Sequence, residues 1–461
     1  MNKFLTVIFL ISVFIIGFLS VKDPDFGWHY RCGEDFLKGN YTICLKNNFS
    51  YFLPNYRAFN PSFIYDISLA FIFDRFGFLG ISLLGSFIFV LAAVIFLQIV
   101  AAPLPLIFIG YFISFYLSEP VFLLGLRSQI ITFLFFLISL YLYEKARKNM
   151  RYLLLFPLLL LIWVNTHIGF FIGLVVLTFA VFEKRFNKYW VFILILAFIA
   201  TLVNPFGSNV YREIFNHATA NLNTMIAEWV APPTLESLII VILSLVDLIV
   251  IFKRKKISFF QIFLLIFFTV LGLQARRNLA FFYPVFFYVL FKNLKLKSFN
   301  YVNNITLITG SALILIIFLA LTLDLPTTFK FDTSWSNYCT DGAATYPCHA
   351  LKTFPQLSGN VYATYEWGGF LIWQKPGVKV FVDGRMPAWH DENGKSPYEV
   401  YLTILQTKNG WNEKLQALKT NYLLITPGTF MGLLLENDSE KYGWKKIYED
   451  QSAVIYKNQI E

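Results

Sequence analysis

Apolar runs of about 15 to 22 residues recur along most of the chain, separated by short polar connections. A transmembrane helix needs about 20 apolar residues, so the pattern predicts a bundle of about eleven spans. Their expected ranges are 4–21, 79–100, 104–118, 128–143, 152–165, 168–182, 189–203, 236–252, 257–273, 278–291 and 303–323. The shorter ones require neighbours or flanking residues to make up the bilayer thickness. The first run follows Met1-Asn2-Lys3 and lacks a small-x-small cleavage site, which predicts an uncleaved helix rather than a signal peptide.

Basic clusters fall in alternate connections: Glu144 to Lys148, Lys184-Arg185, Lys253 to Lys256 and Lys292 to Lys297. By the positive-inside rule these connections are cytoplasmic, as is the N-terminus, and the others face outward. The first outward loop is long, 22–78, and its segment Ile64 to Phe76 has helical apolar spacing broken by Asp66, Asp74 and Arg75. Such a segment is expected to lie along the membrane interface. After the last run the pattern changes. Residues 324–461 carry ordinary charge, turn signals at Lys375-Pro376-Gly377 and Asp383-Gly384, and strand-like runs at 378–382, 422–426 and 453–456, with helices expected at 398–406 and 411–418. The fold class read from this is an α-helical polytopic membrane domain, 1–323, followed by an extracytoplasmic α/β domain, 324–461. The location is the inner or plasma membrane of the cell.

Composition agrees. The chain is 57% hydrophobic and 14% charged, against roughly 45–50% and about 25% for soluble domains. A net charge of +10 lies in the topology-setting clusters, so no nucleic-acid partner is inferred. Cys32 with Cys44 and Cys339 with Cys348 are close enough in sequence for two local disulfides outside the cytoplasm; four separate thiols are the alternative.

On this topology the outward ends of the spans gather Asp23, Asp25 and His29, then Glu119 and Arg127, Asn165 and His167, Asn204, Glu228 and Trp229, and finally Arg276 and Arg277. Ionisable groups at membrane depth are costly and usually face a cavity in pairs. The bland readings are that Arg127 snorkels to headgroups, that Trp28 and Trp229 form part of an aromatic belt, and that Asp23-Pro24-Asp25 merely ends a helix. His167, in a polar break between two barely spanning segments, reads as cavity-lining. Asp23 and Asp25 could take a proton or share a divalent cation, and adjacent Arg276 and Arg277 suit a phosphate through bidentate hydrogen bonds. Outside the cytoplasm activated nucleotide sugars are scarce. A carboxylate together with a phosphate clamp therefore points to group transfer from a lipid carrier.

The ordered motifs Asp23-Pro-Asp-Phe-Gly-Trp-His29, Leu126-Arg-Ser-Gln129, Trp163-Val-Asn-Thr-His-Ile-Gly169, Asn204-Pro-Phe-Gly207, Glu228-Trp229 with Pro232-Pro233, Ala275-Arg-Arg-Asn278, Tyr365-Glu-Trp-Gly-Gly-Phe-Leu-Ile-Trp373 and Val382-Asp-Gly-Arg385 run through the chain. In this order they resemble the GT-C superfamily of integral-membrane glycosyltransferases, which includes protein O-mannosyltransferases, aminoarabinose transferases and oligosaccharyltransferase catalytic subunits. The sequence is most similar to prokaryotic GT-C-like multi-span proteins. The resemblance implies a polyprenyl-phosphate-sugar donor, an extracytoplasmic acceptor (glycan, lipid or protein) and a first-loop aspartate, Asp23 or Asp25, as base or metal ligand. It also implies that Arg276, Arg277 and Arg127 bind the lipid phosphate, with His29, His167 and Glu228 lining the substrate site. A divalent cation, Mg or Mn, on Asp23 and Asp25 stays open. Gly27 departs from the pattern, where an aromatic is expected, as does Ser128, where proline is usual. In the tail, Glu366, Asp383, Arg385, His390 and Asp391 are candidates for acceptor binding or a lid; a structural Asp383–Arg385 ion pair is the alternative. A lipid-glycan flippase, a polymerase or ligase of lipid-diphosphate glycans and a non-catalytic scaffold are the competing functions.

Overall fold

The computed structural model describes residues 3–41, 44–54, 56–59, 61–100, 102–220, 222–224, 226–254, 257–294, 339, 346–391 and 394–460. The predicted run 303–323 lies outside them. The chain forms two compact units: one of Met1–Val21, Phe78–Ser208 and Ile226–Phe331, the other of Lys22–Gly77, Asn209–Met225 and Asp332–Glu461.

The first unit is helical. Its helices are Lys3–Gly17, Leu104–Tyr116, Ser128–Ala146, Leu155–Val164, Phe171–Glu183, Lys188–Thr201, Thr234–Phe252, Phe259–Gln274 and Leu279–Asn293, together with the part of Phe63–Ile99 that follows Gly77. Every predicted run within the described residues thus falls on a helix. Among the described residues three helices are long and apolar enough to cross a membrane, Phe63–Ile99, Ser128–Ala146 and Thr234–Phe252, while the others have 10–17 residues. They shorten because polar punctuation ends them early. Asn187 and Ser258 cap their helices by accepting from Tyr189 N–H and Gln261 N–H, and Asn204 accepts from Phe206 N–H and donates to the Thr201 and Gly207 carbonyls.

The basic ends are more ordered than their sequence suggests. Glu144 pairs with Lys292 and accepts from Tyr288 Oη, with Arg147 at 3.4 Å. Glu183 accepts from Phe260 N–H at 3.2 Å.

The second unit is built on a five-stranded sheet. Its strands are β1 (Gly359–Ala363), β2 (Val378–Val380), β3 (Tyr422–Ile425), β4 (Trp444–Glu449) and β5 (Val454–Asn458), in the order β2-β1-β3-β5-β4. β1 runs parallel to β2 and β3, and the β3–β5 and β5–β4 pairs are antiparallel. The sequence pattern marks β2, β3 and β5; β1 and β4 carry too little contiguous apolar character to stand out. The expected helices appear as Pro397–Leu405 and Trp411–Ala417, the first opened by a capping box between Ser396 and Glu399. Tyr362, Phe381, Leu423, Trp444 and Tyr456 lie in one buried core.

Two helices here lie in stretches that the sequence reading leaves as connections. Phe26–Leu37 buries His29, Cys32, Gly33 and Phe36, the i, i+3, i+4, i+7 stripe of an amphipathic helix. Asn209–Thr219 buries Val210 and Glu213. The segment expected at the interface is helical from Phe63 and continues to Ile99, with a break at Gly77, where φ is 57° and ψ is −157°. Both cysteine couples, Cys32–Cys44 and Cys339–Cys348, are disulfides.

Candidate functional site

The predicted residues form two clusters, one in each unit. In the helical unit the arginines meet a carboxylate at helix ends. Arg127, in extended conformation before Ser128–Ala146, donates from Nη1 to Glu228 Oε2 at 2.9 Å. Arg277, in the Arg276–Asn278 turn, donates from Nη1 to Glu228 Oε1 at 3.1 Å, and its guanidinium lies 4.4 Å from the Trp229 ring centre. The Arg276 N–H donates to the Val230 carbonyl at 3.0 Å, tying this turn to the Ala227–Trp229 turn. Arg127 is buried, with 6% of its side chain exposed, so it does not snorkel. Trp229 is engaged by Arg277 as a cation–π partner.

Burial alone would push the Glu228 carboxyl up, but Arg127 and then Arg277 outweigh it and hold it below the usual carboxylate range. Arg127 and Arg277 both meet Glu228, and the adjacent Arg276 is tied to the same pair of turns through its backbone N–H.

His167 is placed differently. Its Nδ1 accepts from Gly169 N–H at 3.1 Å and lies 2.8 Å from Thr132 Oγ1, which itself accepts from Trp163 Nε1 at 2.9 Å. The ring thereby caps the Ile168–Phe170 turn. Asn165 donates to the Leu161 and Val203 carbonyls, both at 2.9 Å. Like Asn204, it spends its amide on backbone.

In the sheet-bearing unit the acidic loop sits at the C-terminal ends of the parallel strands. Asp23 Oδ1 accepts from the Asp25 N–H at 3.2 Å, and Asp25 Oδ1 accepts from Trp28 Nε1 at 3.0 Å. The loop is held by backbone approach. A Cβ on Gly369 would meet the Pro24 carbonyl at 2.1 Å, one on Gly27 would meet the Gly369 carbonyl at 1.9 Å, and one on Gly384 would meet Asp25 Oδ1 at 1.8 Å. Gly27 therefore cannot be the aromatic its motif leads one to expect: the Gly368-Gly369 turn occupies that space.

Behind the loop, buried Asp383 binds Arg385 through Nε at 2.8 Å and Nη2 at 2.7 Å. The guanidinium lies among Phe49, Trp389 and Trp28 at 5.0, 5.5 and 5.8 Å from their ring centres. Trp28 is thus buried rather than part of a belt. Glu366 is exposed at the end of β1, and His390 is exposed; Asp391 accepts from Lys395 N–H at 2.8 Å in a turn. Burial, then Asp25, Tyr398, Asp383 and Glu366, push the Tyr365 phenol well up. Burial followed by Asp23, Asp25 and Glu366 does the same to Tyr346. Two tyrosines feel one gathering of carboxylates.

His29 belongs to this cluster, with Nδ1 2.5 Å from Asp66 Oδ1. Asp66 was missed as a site residue, although it was visible as a polar break in an apolar helical stripe. Elsewhere in this unit, burial pushes the Glu213 carboxyl up to about 7, against the opposing charge of Arg212.

A divalent cation on Asp23 and Asp25 does not fit the donors as they stand. Among the described residues no three His, Cys, Asp or Glu side chains converge as ligands. The Asp383 oxygens are bound to Arg385, and one Asp25 oxygen is bound to Trp28.

No protein-family model and no curated protein matches the chain. Solved structures of similar fold do exist. The oligosaccharyltransferase of Archaeoglobus fulgidus in the apo form is similar at 12% identity and a TM-score of 0.57, over 100% of this chain and 75% of that one. The archaeal oligosaccharyltransferase AglB from the same organism, in complex with an inhibitory peptide and a dolichol-phosphate, is similar at 12% identity and a TM-score of 0.58, over 99% and 74%. The complex of the A. fulgidus enzyme with Zn and sulfate gives 12% and 0.57 over 98% and 73%. At this identity the likeness shows the fold alone, which the chain shares with these oligosaccharyltransferase structures.

Proposed function

We propose that the protein is a membrane glycosyltransferase that moves a sugar from a polyprenyl-phosphate carrier to an acceptor hydroxyl outside the cytoplasm. The observation that carries this reading is the meeting of Arg127 and Arg277 at Glu228, next to Arg276, on a fold shared with an enzyme seen in complex with a dolichol-phosphate. Arg276, Arg277 and Arg127 bind the phosphate. As the anomeric carbon–oxygen bond breaks, charge grows on the leaving phosphate, and the guanidinium groups stabilise it. Asp23 or Asp25 takes the proton from the attacking hydroxyl as the new glycosidic bond forms with inversion. Polyprenyl phosphate leaves with the electron pair.

The test uses purified protein in lipid nanodiscs with undecaprenyl phosphate as probe, followed by native mass spectrometry. Wild-type protein is expected to retain the lipid, and the Arg276→Ala/Arg277→Ala variant is expected to lose at least tenfold in affinity. Equal retention by both, or displacement by the diphosphate lipid at a hundredfold lower concentration than by the monophosphate, would refute the assignment. Transfer from a radiolabelled polyprenyl-phosphate hexose gives the second measurement, with Asp23→Asn and Asp25→Asn as inactive controls.

A further inference from the structure

A buried His29–Asp66 contact behind the acidic loop has no part in the chemistry above. The Phe26–Leu37 helix and the start of the Phe63–Ile99 helix touch at Gly33, where a Cβ would lie 1.9 Å from the Asp66 carbonyl oxygen. Only glycine permits that approach. One turn back, His29 meets the Asp66 carboxylate at 2.5 Å, and the second Asp66 oxygen accepts from Ser62 Oγ at 2.9 Å. His29 is 5% exposed and Asp66 3%. A carboxylate buried this deeply costs several kcal/mol unless its oxygens are bound, and here both are.

The pair fixes more than itself. The His29 ring stacks on Trp28 with centres 3.5 Å apart and planes 29° from parallel, while Tyr65 closes its edge at 4.8 Å. Trp28 then donates its indole N–H to Asp25 Oδ1. Asp66, His29, Trp28 and Asp25 form one chain of contacts that runs from a buried anchor to the loop.

We infer that Asp66 is a positioning residue: through His29 and the stacked Trp28 it sets the orientation of the Asp25 carboxylate. The geometric part stands by itself; the catalytic part rests on the glycosyl-transfer reading.

The experiment reads the Trp28 indole N–H directly in full-length protein labelled with ¹⁵N-tryptophan, its signal assigned by loss in Trp28→Phe. Asp66→Asn and His29→Phe, the latter keeping an aromatic ring over Trp28, are each expected to speed solvent exchange of that proton at least tenfold. The Trp190 and Trp444 signals should be unchanged and report the fold. Ser62→Ala removes one hydrogen bond to Asp66 and is expected to speed exchange about threefold, and it serves should the stronger variants unfold. Wild-type exchange of Trp28 in a folded Asp66→Asn or in Ser62→Ala would overturn the proposal, whatever the activity. In transfer assays with labelled polyprenyl-phosphate hexose, Asp66→Asn is expected to lower kcat at least tenfold with KM for the donor within twofold. Altered indole exchange with no transfer by wild-type protein would keep the positioning and discard the glycosyl-transfer reading.

Discussion

The two clusters solve the problem of holding charge in different ways. Around Glu228 the solution is electrostatic: opposite charges meet at helix ends within about 3 Å. Around Asp25 it is steric. Like charges gather, and what keeps them there is the close passage of backbone at Gly369 and Gly384, supported by the Trp28 indole. This fixes one carboxylate orientation, as proton transfer requires.

This contrast can be broken, and the largest expected effect is on chemistry. Asp25→Asn should cut hexose transfer by roughly 10²–10⁴-fold while leaving undecaprenyl-phosphate affinity within twofold. Loss of both together would end the division of labour. Next comes Glu228→Gln, which leaves Arg127 buried opposite a neutral group and should lower unfolding stability by about 3–5 kcal/mol, read as a lower Tm. The same carboxylate, held below the usual range by Arg127 and Arg277 against the effect of burial, contributes stability above the ordinary carboxylate pKa and loses it as pH falls through its own lower value. Glu228→Gln should abolish that acid-side loss.

The sheet-bearing unit should show the opposite sign through Glu213. Burial raises its carboxyl from 4.5 to about 7, so its contribution is complete below 4.5 and disappears as pH rises through 7, a change of at most about 3 kcal/mol. Thermal unfolding across pH 4–8 should flatten in Glu213→Gln. Smallest is Gly384→Ala. Its methyl would stand 1.8 Å from Asp25 Oδ1, and overpacking of this kind costs about 1–3 kcal/mol. Asp25 should swing off Trp28, with a shift in the Trp28 indole signal as the measure.

How much of this was legible follows the same line. The helices were, because apolar periodicity reports them directly, and so were the acidic and basic motifs as motifs. The partner of each polar group was not. Asn165, Asn204 and His167 look like cavity residues in sequence, yet they satisfy turns, because helix-end hydrogen bonds depend on loop conformation that periodicity does not encode. Gly27 looked like a gap in a motif and proved to be a point of contact. Asp66 looked like a flaw in an amphipathic stripe, and its meaning depends on Gly33, which carries no side chain to announce it.

The contact between Pro24 and Gly369 joins residues separated by most of the chain. At ribosomal rates of about 5–20 residues per second, Asp25 is made on the order of half a minute before the glycines that confine it. A nascent protein therefore carries its acidic loop for that whole interval without the surroundings that orient it. The orientation of the Asp25 carboxylate is set only once Gly369 and Gly384 have been made, long after the loop itself.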